Sequence, residues 1–162
     1  MTGRLANRFF FAQHGLAVDK SIDAERPLSQ EGIAQTKAIA EHLRTAGVNI
    51  SKILHSGKLR AQQTADIFAS ILAVDDVTAV NGFSPNDDVR QTKLQLTEED
   101  ALYIGHLPHL DKLVSLLLSG DEVGGVLLFQ NSAVICIETD DSSTESSGYS
   151  IRWYLNHELL AH

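Results

Sequence analysis

Residues 8–15 read Arg-Phe-Phe-Phe-Ala-Gln-His-Gly, and this stretch decides the fold class. A short apolar run that closes on a glycine favours a buried strand over a helix. We therefore expect a strand over residues 8–13, with Gln13 and His14 at its carboxyl end.

Strand and helix patterns alternate along the rest of the chain. Helices are predicted over residues 30–46 (with Ser29 as N-cap), 59–72 and 110–118, and a short, ambiguous one over 89–96. Further strands are predicted over residues 50–55, 78–80, 101–104, 126–130, 133–138 and 149–155. This alternation predicts a three-layer α/β/α domain with a mostly parallel central sheet, helices on both faces and a late β-hairpin. The hairpin strands flank an acidic, Ser-rich loop, residues 139–148.

Composition sets limits on the class of protein. A chain of 162 residues without an internal linker or repeat is interpreted as one domain, residues 1–162. The formal net charge of −8 argues against a general surface for nucleic acid or anionic membranes, which both depend on excess Lys and Arg. No stretch approaches the ~20 apolar residues of a membrane span. The single cysteine, Cys136, excludes an internal disulfide, suits a reducing compartment and is expected to be a buried apolar side chain. We expect a cytoplasmic protein.

Polar side chains follow three of the predicted strands. Gln13, His14 and Gly15 follow the first strand, His55 and Ser56 follow the second, and Gly105 and His106 follow another. Since ligands of α/β sheets collect at the carboxyl ends of the strands, these residues point to one site.

Two histidines and an arginine at one sheet edge favour phosphoryl chemistry. A neutral imidazole is a nucleophile near pH 7, and a hydrogen bond at its other nitrogen fixes its tautomer. Arg60 offers a pH-independent charge with bidentate geometry for phosphoryl oxygens. Phosphoryl transfer needs little beyond positioning and charge stabilisation.

The chain also resembles a known family at four motifs. Residues 9–15, Phe-Phe-Phe-Ala-Gln-His-Gly, look like the strand and R-H-G motif of the histidine phosphatase superfamily, which includes the phosphoglycerate mutases. Three further matches resemble its small SixA-type phosphohistidine phosphatase branch: Arg-Pro-Leu-Ser at 26–29 with Gly32, Ser-Gly-Lys-Leu-Arg-Ala-Gln-Gln-Thr at 56–64, and Gly-His-Leu-Pro at 105–108. No single motif would suffice, but the ordered set is specific.

The resemblance implies a role for each matching residue. His14 would be the nucleophile that becomes phosphorylated, Arg60 would hold the phosphoryl oxygens, and His106 would stabilise their charge. Gln13, Gly15 and Ser56 would complete the phosphate-binding set. Water would then hydrolyse the phosphoenzyme, and neither a metal nor an organic cofactor is implied.

Gln13 departs from the family pattern, which has an arginine there. A glutamine amide still donates hydrogen bonds but carries no charge, and charge-assisted bonds are roughly twice as strong as neutral ones. We therefore expect reduced activity. Arg8, Arg26 and Lys58 are candidates for substitute charge.

The second departure concerns the general acid. Mutase-like relatives carry a glutamate in the loop before the last motif, whereas residues 81–88 here contain only Asp87 and Asp88 as acids. An imidazole leaves more readily than an alkoxide, so this absence favours an N-phosphoryl substrate. His109 could pair with His106 as a metal ligand, but without a third ligand at suitable spacing we expect it at the rim of the site.

These observations predict a phosphohistidine phosphatase whose partner is a phosphorylated protein of the histidine phosphotransfer type. Two alternatives remain at this point. One is a binding module for phosphate or phosphohistidine, with catalysis weakened or lost through Gln13. The other is a phosphomonoesterase acting on a small phosphate compound, with Asp87 or Asp88 as its acid.

Overall fold

The structure, a computed structural model, describes residues 7–139 and 148–160. Its elements in chain order are β1 (Asn7–Gln13), α1 (Gln30–Thr45), β2 (Lys52–His55), α2 (Leu59–Leu72), β3 (Val77–Ala79), α3 (Val89–Leu94), β4 (Ala101–Gly105), α4 (His109–Ser119), β5 (Val134–Thr139) and β6 (Tyr149–Leu155). As predicted, Ser29 caps α1, because its side chain accepts a hydrogen bond from the backbone N–H of Gly32. Within the described residues no helix is long and apolar enough to cross a membrane.

The elements form a six-stranded sheet in the order β3-β2-β4-β1-β5-β6. The first four of these strands run parallel, whereas β5 is antiparallel to β1 and pairs with β6 as the late hairpin. The predicted α/β architecture with a mostly parallel sheet is confirmed. Residues 140–147 of the predicted acidic loop lie outside the described residues.

Alternate side chains of β1 feed two separate cores. Phe9 and Phe11 pack on one face with residues of α3 and α4, and Phe10 and Ala12 pack on the other with residues of α1 and α2. This alternation follows from the two-residue period of a strand, so a continuous apolar run indicates burial on both faces. Cys136 lies opposite Phe10 and is fully buried, as expected, and burial raises the pKa of its thiol to about 11.

The strand predicted over residues 126–130 is wrong. This segment is a loop, in which Val126 and Leu128 are 47% and 81% exposed while Phe129 packs into the core. The backbone N–H of Gln130 donates to the hydroxyl of Tyr154 instead of to a neighbouring strand. The physical reason is local: Gly124 and Gly125, both at positive φ, turn the chain just before this segment, and the residue directly after it, Asn131, pairs with β1 only through an isolated bridge to Gln13.

The parallel strands end at a common edge. Gln13 lies opposite Gly105, and His55 lies opposite Ile104. Beyond the strands, the backbone N–H of His14 donates to Gly105 O at 3.0 Å, and that of Ser56 donates to Ile104 O at 3.2 Å. The three predicted strand ends are thereby brought together.

Candidate active site

His14 lies at the centre of this edge and is held by backbone contacts on both sides. Its N–H donates to Gly105 O, and its carbonyl accepts a 3.1 Å hydrogen bond from Asn131 Nδ2. Its side chain is buried, with 8% of the residue exposed. No local pattern marks Asn131, which precedes β5 and is distant from His14 in the chain.

The imidazole of His14 has a defined tautomer. Nδ1 lies 2.7 Å from Gly15 O and must donate, because a carbonyl oxygen only accepts. Nε2 therefore carries the lone pair. Arg60 Nε donates to that Nε2 at 3.3 Å, so the lone pair and the guanidinium face each other.

Burial keeps this imidazole neutral. It lowers the pKa of His14 to about 4, against an ordinary value of 6.5; the hydrogen bond to Gly15 O opposes the shift, and the positive charges of Arg60 and Arg26 add to it. At pH 7 His14 is thus an uncharged nitrogen base surrounded by cations. An anionic ligand would offset this excess of positive charge.

Gly15 positions both His14 and Arg60. Its backbone N–H donates to Thr64 Oγ1 at 2.9 Å, and the Thr64 hydroxyl donates to Arg60 O at 2.7 Å. A Cβ atom at position 15 would lie 2.8 Å from Thr36 Oγ1, so only glycine fits without displacement of that hydroxyl. Thr64 is the last residue of the 56–64 motif, and the structure gives that motif position a structural role.

His106 faces His14 across the site. The two ring centroids lie 4.9 Å apart, and Ser56 Oγ is within 2.6 Å of His106 Nε2. Burial, followed by the neighbouring His14 ring and the positive charges of Arg60 and Lys58, lowers the pKa of His106 to about 3. Its Nδ1 is buried and has no hydrogen-bond partner among the described residues.

The three candidates for substitute charge lie in different places. Arg26 is near enough to lower the pKa of both His14 and Arg60, and Lys58 lowers that of His106. Arg8 instead pairs with Glu138 at 2.7 Å, at the start of β1. Two of the three candidates, Arg26 and Lys58, therefore add positive charge near the site, and Arg8 does not.

Gln13 lies beside this group. Its side chain makes no hydrogen bond to His14, Arg60 or His106 within the described residues, and it lines a neighbouring cavity of about 500 Å³. The resemblance implies phosphate binding for Gln13, and here the residue forms part of the wall of that neighbouring cavity.

The loop over residues 81–88 brings no carboxylate to His14. Asp87 accepts a hydrogen bond from Ser84 N, and Asp88 caps α3 through Arg90 N. His109 is not at the rim: it is 1% exposed, its Nε2 lies 2.9 Å from Thr92 Oγ1, and its ring packs edge-on against Phe83. The first turn of α4 rotates its side chain into the core between α3 and α4. No group of three or more metal-ligating side chains occurs in residues 7–139 and 148–160.

The arrangement fits one kind of chemistry. A neutral imidazole with a free Nε2 can attack an electrophile, and a guanidinium beside it can bind the oxygens of a phosphoryl group. The second imidazole and the Ser56 hydroxyl add hydrogen-bonding groups on the opposite side.

Comparison with known proteins identifies the family. The family model of the histidine phosphatase superfamily (branch 1) matches residues 16–83. Phosphohistidine phosphatase SixA of Escherichia coli (strain K12) is 30% identical over 141 residues, 82% of this chain and 86% of that protein. An uncharacterized protein of Picosynechococcus sp. is 28% identical over 135 residues, 78% of this chain and 81% of its own.

A solved structure has the same fold along nearly the whole chain. It is the protein histidine phosphatase SixA complexed with tungstate, at 26% identity and a TM-score of 0.79, with 92% of this chain and 96% of that chain covered. The chain belongs to the histidine phosphatase superfamily, in its SixA-type branch.

Proposed function

We propose that this chain hydrolyses phosphohistidine on a protein such as a phosphotransfer domain, through a phosphoryl intermediate on His14. One observation carries the proposal: the Nδ1–H bond to Gly15 O leaves His14 Nε2 unprotonated, 3.3 Å from Arg60 Nε. The names of the SixA relatives support phosphohistidine as the substrate class.

In the first step His14 Nε2 attacks phosphorus, and the P–N bond of the substrate breaks. Both electrons of that bond go to the departing imidazole, which leaves neutral when its distal nitrogen carries a proton. The His14 ring becomes positively charged as the new P–N bond forms. Gly15 O, which accepts from Nδ1–H, stabilises that charge.

In the second step water attacks phosphorus and the P–Nε2 bond breaks. The electron pair returns to Nε2, inorganic phosphate departs, and the proton of the water passes to phosphate or solvent. Dividing one displacement into two in this way gives each step a good leaving group.

Arg60 and His106 act on the transferred group in this proposal. Arg60 provides the fixed positive charge, and Arg26 and Lys58 add to the field around it. His106 Nε2 and Ser56 Oγ are joined at 2.6 Å; with His106 Nε2–H donating to Ser56 Oγ, the serine hydroxyl donates to the transferred group from the other side. Gln13 adds no charge, so we expect a slower enzyme than one with arginine there.

The leaving group argues for an N-phosphoryl substrate over a phosphate ester. An alkoxide requires a general acid, and both acids of the 81–88 loop are engaged elsewhere, Asp87 with Ser84 and Asp88 at the cap of α3. An imidazole requires less assistance. Hydrolysis of phosphohistidine therefore needs no general acid from the 81–88 loop.

A phosphoenzyme trap tests the proposal. Wild type, His14→Ala and His42→Ala are mixed with a phosphorylated phosphotransfer protein, quenched without acid, and examined by intact mass while phosphate release is followed. His42 is an exposed residue of α1 and serves as the matched control. We expect a phosphoryl adduct and phosphate release for wild type and His42→Ala, and neither for His14→Ala.

The opposite result would identify a binding module. If the donor binds wild type but neither an adduct nor phosphate forms, the phosphatase proposal fails.

A further inference from the structure

A second cavity adjoins the proposed phosphoryl site and has a different polar character. It has a volume of about 500 Å³, and its polar walls come from amides and a carboxylate: Gln13, Gln35, Gln130, Asn131 and Glu158. We call it the amide cavity. It collects residues from the end of β1, from the segment before β5 and from the segment after β6.

The amide cavity borders the site directly. Gln13 precedes His14, Asn131 donates to His14 O at 3.1 Å, and Leu107, which follows His106, forms part of the wall. His14, Arg60 and His106 themselves are not among its lining residues. A group that occupies it would therefore sit next to the phosphorylated group of a substrate, and not in its place.

The cavity is rich in acceptors that have no donor. Oε1 of Gln13 and Oε1 of Gln130 are buried and accept no hydrogen bond in the described part of the chain. The orientation of Gln130 is fixed chemically, because its Nε2 lies 2.6 Å from Glu158 Oε1 and a carboxylate only accepts. A buried acceptor without a donor is unfavourable, so a ligand with N–H groups is favoured once these two side chains shift to expose their oxygens to the cavity.

The charge of the cavity has the opposite sign to that of the phosphoryl site. Its carboxylate is that of Glu158. No lysine or arginine of the described residues lines the cavity, and His157 is its one imidazole. An anion would meet the carboxylate, and an apolar group would leave the amide oxygens unsatisfied. A cationic N–H donor satisfies both requirements.

We propose that the amide cavity binds an amino or guanidinium group carried by the substrate beside its phosphohistidine, with Glu158, Gln130 and Gln13 as the recognition residues. This inference rests on the proposed function and names a feature of its substrate. A basic side chain in the partner protein, close in space to the phosphorylated histidine, is the group that fits.

Peptides test this inference without the need for turnover. Each contains the stable triazole analogue of phosphohistidine, and a single lysine is moved through the flanking positions while norleucine fills the others. A parallel series uses arginine to identify the cation. Dissociation constants are measured by calorimetry for wild type, Glu158→Gln, Glu158→Lys and the control Glu41→Gln, a carboxylate of α1 that pairs with Arg44. Hydrolysis of the matching phosphohistidine peptides is measured in parallel.

We expect the best lysine or arginine peptide to bind wild type about tenfold more tightly than the norleucine peptide, as befits one charge-assisted hydrogen-bond set. The ratio should fall to about one in Glu158→Gln, fall below one in Glu158→Lys, and stay at its wild-type value in Glu41→Gln. A ratio of one in wild type, or a preference that survives Glu158→Gln, overturns the inference.

The outcomes separate the two proposals. Hydrolysis with no preference for a cation leaves the phosphatase proposal standing and removes the amide cavity from recognition. A Glu158-dependent preference without hydrolysis does the reverse. If no analogue peptide shows a preference or binds, the inference about the amide cavity fails, and the phosphatase proposal fails with it only when the phosphohistidine peptides are not hydrolysed either.

Discussion

The two flanks of His14 differ in sign although they share strand β1. On one flank lie Arg60 and His106, with the charges of Arg26 and Lys58 acting on them. On the other lies the amide cavity with the carboxylate of Glu158. Gln13, the last residue of β1, and His14, the residue that follows it, therefore border opposite electrostatic environments.

The difference follows from the topology of the sheet. The first flank is built by the parallel half, where β4 ends before His106 and α2 presents Arg60 in its first turn. The second combines Gln13 and Gln35 of the parallel half with segments that precede β5 and follow β6. The proposed phosphoryl chemistry and the proposed substrate recognition thus draw on different sets of residues, which meet at Gln13.

The largest expected effect comes from removing the guanidinium of the first flank. Arg60→Ala should lower kcat/KM for a phosphohistidine substrate by about 10³-fold, because a preorganised charge beside the attacking nitrogen is lost. Arg60→Lys keeps the charge without the planar fork, so its kcat/KM should lie between those of wild type and Arg60→Ala. Phosphate release kinetics provide the measurement. Arg44→Ala, an exposed arginine of α1, is the control, and a rate for Arg60→Ala within a few-fold of wild type would contradict the assignment.

Acid pH should lower the free energy of unfolding through His14, which borders the same flank. The folded-state pKa of His14 is about 4, below its ordinary 6.5, so above pH 6.5 both states bind no proton there and stability is unaffected. As the pH falls from 6.5 towards 4, only the unfolded state takes up the proton, and the free energy of unfolding decreases, by on the order of 3 kcal/mol for this group.

Thermal melts across this pH range measure the effect. His14→Asn should lose less stability on acidification than wild type, while the exposed control His42→Asn should follow wild type. Parallel curves for wild type and His14→Asn would refute the prediction.

Gly15→Ala should disturb the packing of the backbone directly after His14, between the two flanks. Its Cβ atom would lie 2.8 Å from Thr36 Oγ1 and 3.1 Å from Ser132 Oγ, two hydroxyls that are themselves 2.7 Å apart. We expect a loss of about 1–3 kcal/mol of unfolding free energy in urea and a lower kcat, because Gly15 O also holds His14 Nδ1. Ser70→Ala, on the exposed side of α2, should behave as wild type. Unchanged stability would show that the hydroxyl pair shifts freely.

The smallest expected effect comes from a change in charge at Gln13, which lies between the two flanks. Gln13→Arg introduces a cation between the flanks, and we expect inhibition by inorganic phosphate to tighten about threefold, with a rise in turnover. The preference for a cationic peptide should decrease at the same time, since the new guanidinium competes for Glu158. Inhibition assays with phosphate provide the measurement, and Gln13→Asn is the neutral control. Phosphate inhibition that is the same in both variants would contradict the expectation.

Local pattern was enough for most elements. The spacing of Ile33, Ala40 and Leu43 predicted α1 to within one residue at its end, and the bounds of α2 match those observed. These helices carry their own start signals and apolar periodicity. Residues 126–130 show the limit, because an apolar segment gives the same pattern whether or not it pairs with a strand of the sheet.

The same limit appears in the site. His14, Ser56, Arg60 and His106 were placed together because each follows a strand of the parallel sheet or begins the next helix. His109 was misplaced, because its contact with Thr92 depends on how α3 packs on α4. Asn131 and Glu158 carried no local signal at all.

The sequence by itself determined the alternation of strands and helices, the burial of β1 on both faces and the family motifs, since these depend on local periodicity and residue type. Only the tertiary structure decided which nitrogen of His14 is free, how burial and neighbouring cations lower its pKa, and that Gln13 faces a second cavity. Those properties depend on atoms brought together from distant parts of the chain, and hydrogen bonding, desolvation and charge act through space.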